Sequence, residues 1–253
     1  MLRTRIIPTL LLRNESLIKT VRFGKFSYVG DPANTVRIFN ELEVDELLFL
    51  DVTATVEGRK PNLKVLAEIA DECFMPLGYG GGIRSFEDAQ IILKLGFEKV
   101  VVNTRALEEP SFITRLSEHF GSQAIIVSID VKRGLFWGDQ VRSRAGGKNA
   151  RRSPVEWARE VERLGAGEIL LTSIDREGTW EGFDLDLVRS VSEAVRIPVI
   201  ANGGAGKVEH IGQAVKEGCA SAVALGSMVV FQRKGMGVLV NFPEESELRR
   251  ILA

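Results

Sequence analysis

The sequence predicts an α/β fold, a (β/α)8 barrel that occupies residues 1–253 as a single domain. Three observations point to it. Eight short runs bounded by Gly, Pro or Asp are β-branched and apolar without alternation, the pattern of parallel strands covered on both faces. Amphipathic stretches of helical period separate them, so strand and helix signals alternate along the chain with no linker between. Finally, four landmarks recur in the same order about 120 residues further on, as expected of two duplicated, fused half-barrels spanning roughly residues 1–123 and 124–245.

The strands expected are Ile6–Leu12, Leu47–Asp51, Met75–Gly80, Lys99–Asn103, Ala124–Asp130, Glu168–Ser173, Pro198–Asn202 and Ser221–Leu225. The helices expected are Pro32–Leu42, Leu63–Glu72, Glu87–Leu95, Ser111–Phe120, Pro154–Leu164, Leu185–Val195, Val208–Glu217 and Ser246–Leu252. Leu63, Leu66, Ile69 and Ala70 mark one apolar helix face. Ser85 and Ser153 each read as an N-cap before an acidic first turn, the second with Pro154 at the first helical position. Gly96, Gly121, Gly165 and Gly218 fall just beyond helix ends, where a left-handed cap favours glycine. Eight βα units close most simply into a barrel, and four of them make half of one.

Composition narrows the function. The net charge is −1 with charges spread evenly, so no nucleic-acid footprint is visible, and the densest basic stretch, Arg142 to Arg152, lies in a Gly-rich loop. Cys73 and Cys219 are isolated, as in a reducing compartment. The N-terminal apolar run is too short to span a membrane, and the expectation is a soluble cytoplasmic protein with no membrane partner. His119 and His210 sit on helices without a second ligand at metal spacing, so both read as surface or packing residues and no metal or cofactor is expected.

In such a barrel, chemistry sits where strands end and βα loops begin. Gly81 and Gly82 with Asn103 and Thr104 form one candidate phosphate cradle, and Gly203 and Gly204 with Gly226 and Ser227 form its copy across the mouth. These glycines could also serve tight turns alone. A ligand with a phosphate at each end would pass Asp130, which ends the fifth strand and could move protons, unless it caps a helix or pairs with Lys132. Asp51 and Asp175 end the second and sixth strands symmetrically and either orient neighbours or touch ligand. At the opposite mouth Arg5, Glu46, Lys99 and Glu168 could pair across a ring, a plain stability cluster on sequence grounds.

A resemblance sharpens this. Arg5-Ile6-Ile7-Pro8, Phe49-Leu50-Asp51-Val52-Thr53-Ala54, Gly80-Gly81-Gly82-Ile83, Gly165-Ala166-Gly167-Glu168 through Asp175-Arg176, and Gly203-Gly204-Ala205-Gly206-Lys207 resemble the HisF family, the cyclase subunit of imidazole glycerol phosphate synthase, over nearly the whole chain. The resemblance implies a HisH-like glutaminase docked at the N-terminal barrel face and an ammonia gate at Arg5, Glu46, Lys99 and Glu168. It also implies a bis-phosphorylated ribulose substrate and an acid/base pair of aspartates at the ends of strands one and five. Asp130 stands at the second of these positions, but Leu11 stands at the first and cannot transfer a proton. Glu177 replaces a shorter aspartate of the family's substrate site.

The tail from Met228 to Pro243, with Lys19-Thr20, Tyr28-Val29-Gly30-Asp31-Pro32 and Cys73-Phe74-Met75-Pro76, is similar to the HisF paralogues of surface-polysaccharide gene clusters, the WbuZ-type glycosyl amidation proteins. That likeness implies work with a glutaminase and an ATP-dependent amidotransferase to convert a sugar's acetamido group to an acetamidino group. Two alternatives stand beside it: a histidine-pathway cyclase in which another residue replaces the missing aspartate, and a non-catalytic ammonia conduit or scaffold.

Overall fold

Strand β1 (Arg5–Arg13) lies between two parallel neighbours, as the continuous apolarity of Ile6–Leu12 requires. The computed structural model describes residues 4–134 and 138–253. Its further strands are β2 (Ser16–Thr20), β3 (Phe26–Gly30), β4 (Leu47–Asp51), β5 (Leu77–Gly80), β6 (Lys99–Val102), β7 (Ile125–Gly134), β8 (Gly138–Ser143), β9 (Lys148–Asn149), β10 (Glu168–Ser173), β11 (Val199–Asn202) and β12 (Ala222–Leu225). Parallel ladders join β1, β4, β5, β6, β7, β10, β11 and β12 in that order, and β12 pairs back with β1. This is a closed (β/α)8 TIM barrel.

Closure gives the chain two cores. Ile7, Leu48, Val101, Ile126, Leu170, Ile200, Ala222 and Ala224 pack inside the barrel. Ile6, Leu10, Phe49, Val127 and Ile169 point outward, where Phe39, Ile69, Phe112, Trp157 and Ile211 from the helices cover them. Strand β5 shows how the narrow interior is filled. Leu77 and Tyr79 face the helices, whereas a β-carbon at Gly78 would lie 2.3 Å from Leu48 Cδ2 and one at Gly80 would lie 2.8 Å from Val101 Cβ. Glycine there makes room for side chains from the neighbouring strands.

The expected helices form with small changes at their ends, and the one starting at Phe86 carries the full capping box, Ser85 with Asp88. Ser153 makes no side-chain capping bond; Pro154 at the first helical position leaves one fewer N–H to satisfy. Gly96, Gly121 and Gly165 have the expected positive φ, but Gly218 does not, and Cys219 takes the left-handed conformation at φ 56°. Gly218 is small for space, since a β-carbon would sit 2.6 Å from Ala214 O.

Two features exceed the expectation. β1 and β7 run past the barrel rim into antiparallel pairings with β2 and β8, so the first and fifth strands both end in flaps over the mouth. Short helices, Ala54–Glu57, Thr104–Glu108 and Ser227–Val230, open three of the βα loops. Among the described residues no helix is long and apolar enough to cross a membrane.

Replacing Gly78 by Ala should destabilise the barrel by about 1–3 kcal/mol through overpacking against Leu48. The measurement is a urea midpoint that falls with the m-value unchanged. An unaltered midpoint would mean that Leu48 can move aside freely.

Candidate functional site

At the N-terminal mouth, four side chains from four strands close a ring of alternating charge. Arg5 donates to Glu46 at 2.6 Å and to Glu168 at 2.7 Å, and Lys99 Nζ donates to Glu46 at 2.9 Å and to Glu168 at 2.8 Å. Each cation touches both carboxylates. Burial alone would push the Glu168 carboxyl up, but the bonds from Arg5 and Lys99 outweigh it and hold the carboxyl below the usual range. The side chains of Glu46 and Glu168 are almost covered, whereas that of Arg5 is 30% exposed to the outside. Two residues further along the same four strands Ile7, Leu48, Val101 and Leu170 join the apolar interior cluster of the barrel.

At the C-terminal mouth a cavity of about 620 Å3 gathers most of the sequence-predicted site. Asp130, Asp51, Glu177, Leu11 and both sets of glycines line it, with Asn103, Thr104 and Ser227. Asp175 does not. Its carboxylate accepts the Arg133 N–H at 2.8 Å and so anchors the extension of β7. Asp51 is held by its own loop: it accepts the N–H groups of Thr53 and Ala54 and pairs with Arg59 at 3.2 Å.

Asp130 is buried at the centre. Ser128 Oγ donates to its Oδ1 at 2.9 Å and Asn103 Nδ2 approaches its Oδ2 at 3.3 Å. Burial pushes its pKa up to about 6, against the lowering effect of Ser128 and Thr172. Among the described residues Asp130 makes no ion pair with Lys132 and caps no helix. Asn103 is committed to the protein, since its amide also donates to Ser128 O at 3.0 Å. At the end of β1, Leu11 is opposite Ile18 in the flap and beside Leu50 on β4, so this wall of the mouth is apolar.

Four of the cradle glycines have positive φ, 123° at Gly81, 69° at Gly82, 93° at Gly203 and 114° at Gly204, whereas Gly226 has φ −107°. Their missing side chains also admit the preceding loop. A β-carbon would lie 2.4 Å from Asp51 O at Gly81 and 2.1 Å from Gly182 O at Gly204. The glycines therefore serve the turn, one of the two readings of the sequence. The two cradles differ. The Gly82 N–H already donates to Thr55 Oγ1 at 3.2 Å. At the other cradle, a buried ammonium stands over the glycine: a β-carbon on Gly226 would be 2.7 Å from Lys19 Nζ.

Lys19 was legible only as part of a resemblance, although a charge inside the otherwise apolar stretch Leu17-Ile18-Lys19-Thr20-Val21 is a signal in itself. Its partner is Glu177, which fastens the flap. The Glu177 carboxylate accepts from Lys19 Nζ at 3.1 Å, from Thr20 Oγ1 at 3.0 Å and from Phe23 N at 3.1 Å. Arg22 and Phe23 hold left-handed conformations that place these donors.

With this geometry in hand, comparison with known proteins is informative. The family model described as "Histidine biosynthesis protein" matches residues 5–234. The chain is 48% identical over 248 residues to "Putative imidazole glycerol phosphate synthase subunit hisF2" of Pseudomonas aeruginosa, covering 98% of this chain and 99% of that one. It is 44% identical over 253 residues to "Putative imidazole glycerol phosphate synthase subunit hisF3" of Vibrio vulnificus, covering 100% and 97%. It is 40% identical over 251 residues to "Imidazole glycerol phosphate synthase subunit HisF" of Nostoc, covering 98% and 97%.

Asp130→Asn should raise stability at pH 8 and leave it little changed near pH 4. The folded pKa of Asp130 is raised, so ionisation penalises the native state progressively as pH climbs from the unfolded value to about 6. The penalty removed is at most about 3 kcal/mol. Denaturant unfolding of both chains at the two pH values reads it, and an equal change at both would contradict the raised pKa.

Proposed function

Since the chain belongs to the HisF family of imidazole glycerol phosphate synthase subunits, we propose that it takes ammonia from a HisH-like glutaminase docked on the N-terminal face and delivers it through the barrel to a phosphorylated substrate at the C-terminal mouth. There it supports amidation of a sugar, with an ATP-dependent amidotransferase as further partner, in place of imidazole ring closure.

The observation that carries this reading is Leu11. Ring closure calls for an acid and a base on the two sides of the substrate, and one side here is Leu11, Ile18 and Leu50. Asp130 alone, with a pKa about 6, can donate and accept one proton near neutrality. A single such group suits capture of a nucleophile that brings its own proton, as ammonia does. The delivery route rests on the ring and the layer above it. A balanced set of two cations and two carboxylates, each group bonded to its neighbours, disfavours the passage of ions, and the apolar interior admits a small neutral molecule more readily than a charged one. The docking face is supported by Phe74, which is 89% exposed in the loop before β5, at the same end as the ring. The cradles, with Lys19 at the second, suit phosphate oxygens.

Complementation of a histidine auxotroph lacking its cyclase subunit tests the choice between activities. No rescue is expected, and no imidazole glycerol phosphate should form from the ribulose substrate with ammonium salts. Rapid turnover would return the chain to the histidine pathway. Leu11→Asp should restore some cyclisation if Asp130 and the cradles are otherwise in place.

A second measurement addresses the route. In Lys99→Ala two covered carboxylates are left to Arg5 alone, which disturbs the ring while the barrel stays folded. With both partners present, the ratio of glutamine consumed to amidated product should rise in Lys99→Ala and Arg5→Ala. Ratios equal to wild type in both variants and in the double variant would reduce the ring to a stability feature.

A further inference from the structure

The two cradle loops are tethered in the same way but by different chemistry. After the first cradle, the Arg84 N–H donates to Asp88 Oδ2 at 3.0 Å, the acceptor lying four residues on, in the first turn of the next helix. After the second, the Gly206 N–H donates to His210 Nδ1 at 3.1 Å, again four residues on and in the first turn of the next helix. Both acceptors are buried. The imidazole does more than accept. Gly182 packs on its face, a β-carbon there lying 3.4 Å from Cδ2 and Nε2, and the Gly182 N–H donates to Gly204 O at 2.8 Å. His210 therefore holds the Gly203–Lys207 turn directly through Gly206 and indirectly through Gly182.

We propose that His210 is the positioning residue of the second cradle and that it makes anion capture at that end of the cavity dependent on its neutral form. The inference rests on the reading of the glycine turns as phosphate cradles. Nδ1 accepts the Gly206 N–H, so the neutral ring carries its proton on Nε2. Protonation adds a hydrogen to Nδ1, the atom that accepts, and the tether is lost. An imidazole is the side chain whose ordinary pKa puts such a change between pH 5 and 8.

The surroundings favour the neutral ring. Burial is the largest influence and lowers its pKa, Lys207 lowers it further, and Glu209 opposes them. On the loop that carries Gly182, Arg176 and Glu181 pair with each other at 3.9 Å. The C-terminal helix Glu245–Leu252 packs on the next turn through Ile251 against Gly212; its Glu245 and Arg249 pair with each other, and its Glu247 and Arg250 are exposed. The cavity carboxylates act in the opposite sense. Asp130 gains its charge as pH rises, which weakens anion binding, whereas the His210 tether strengthens with rising pH.

The chain has two histidines, so His210 can be followed by nuclear magnetic resonance of labelled imidazoles with His119 as internal reference. Sulfate serves as probe because it stays doubly charged between about pH 5 and 8, the range of the imidazole titration. Linkage fixes the sign. If binding needs the neutral ring, saturating sulfate lowers the pKa of His210. Simple attraction between a bound dianion and an imidazolium would raise it. A lowered pKa is the expected result; a raised or unmoved one overturns the proposal. Alongside, wild-type affinity at the second cradle should fall about three- to tenfold as His210 protonates, the worth of one hydrogen bond. His210→Asp, which copies the Asp88 tether, should remove that fall. If sulfate does not bind at pH 8 at all, the cradle reading itself fails, an outcome distinct from binding that ignores the state of His210.

Discussion

Everything in this molecule depends on the two ladders that close the sheet, β7 with β10 and β12 with β1. A closed parallel sheet has no free edge among its barrel strands, and it gathers all their C-terminal ends into one mouth. Asp130, Thr172, Asn202, Leu11 and Gly80 come from five different strands, yet they line one cavity. The same closure gathers Arg5, Glu46, Lys99 and Glu168 at the other mouth. Position in the barrel thus decides which residues can meet, and side-chain chemistry decides what they do.

Charges taken out of water are stabilised here only in satisfied groups. The ring gives each carboxylate two cationic partners, and Glu177 finds three donors in one flap. Asp130 differs: among the described residues no cation pairs with it, it is served by hydroxyl and amide groups, and burial raises its pKa. A group poised near neutrality is useful for proton transfer, whereas one clamped by cations is useful for shape.

The barrel was legible because its strands are covered on both faces. Runs such as Ile125-Ile126-Val127 or Glu168-Ile169-Leu170-Leu171 carry no polar alternation to confuse with a solvated sheet. The flaps escaped notice for the converse reason. Phe26-Ser27-Tyr28 is exposed and Gly138-Asp139-Gln140 is polar; the first is a strand because it pairs with β2, which itself pairs with the overrun of β1, and the second because β7 overruns the rim to pair with it. At the site, Asp130 and the glycines stood out by their place at strand ends. Lys19 and Glu177 did not declare themselves as a pair, because their contact spans the chain and no local pattern encodes it. His210, read as a packing residue, does pack, but its ring nitrogen also holds a turn, and a helix pattern cannot show which atom a ring nitrogen faces.

The bonds at the two mouths also cross between the parts of the chain on either side of residue 124. Glu168 depends on Arg5 and Lys99, and Glu177 depends on Lys19, Thr20 and Phe23, all from the first part. Separated, Glu168 and Glu177 would lose all the partners named here, whereas Arg5 and Lys99 would keep Glu46. A cut in the chain near residue 124 would thus break charge pairs at both mouths as well as opening the sheet, so these contacts tie the two ends of the sequence together beyond what strand pairing alone requires.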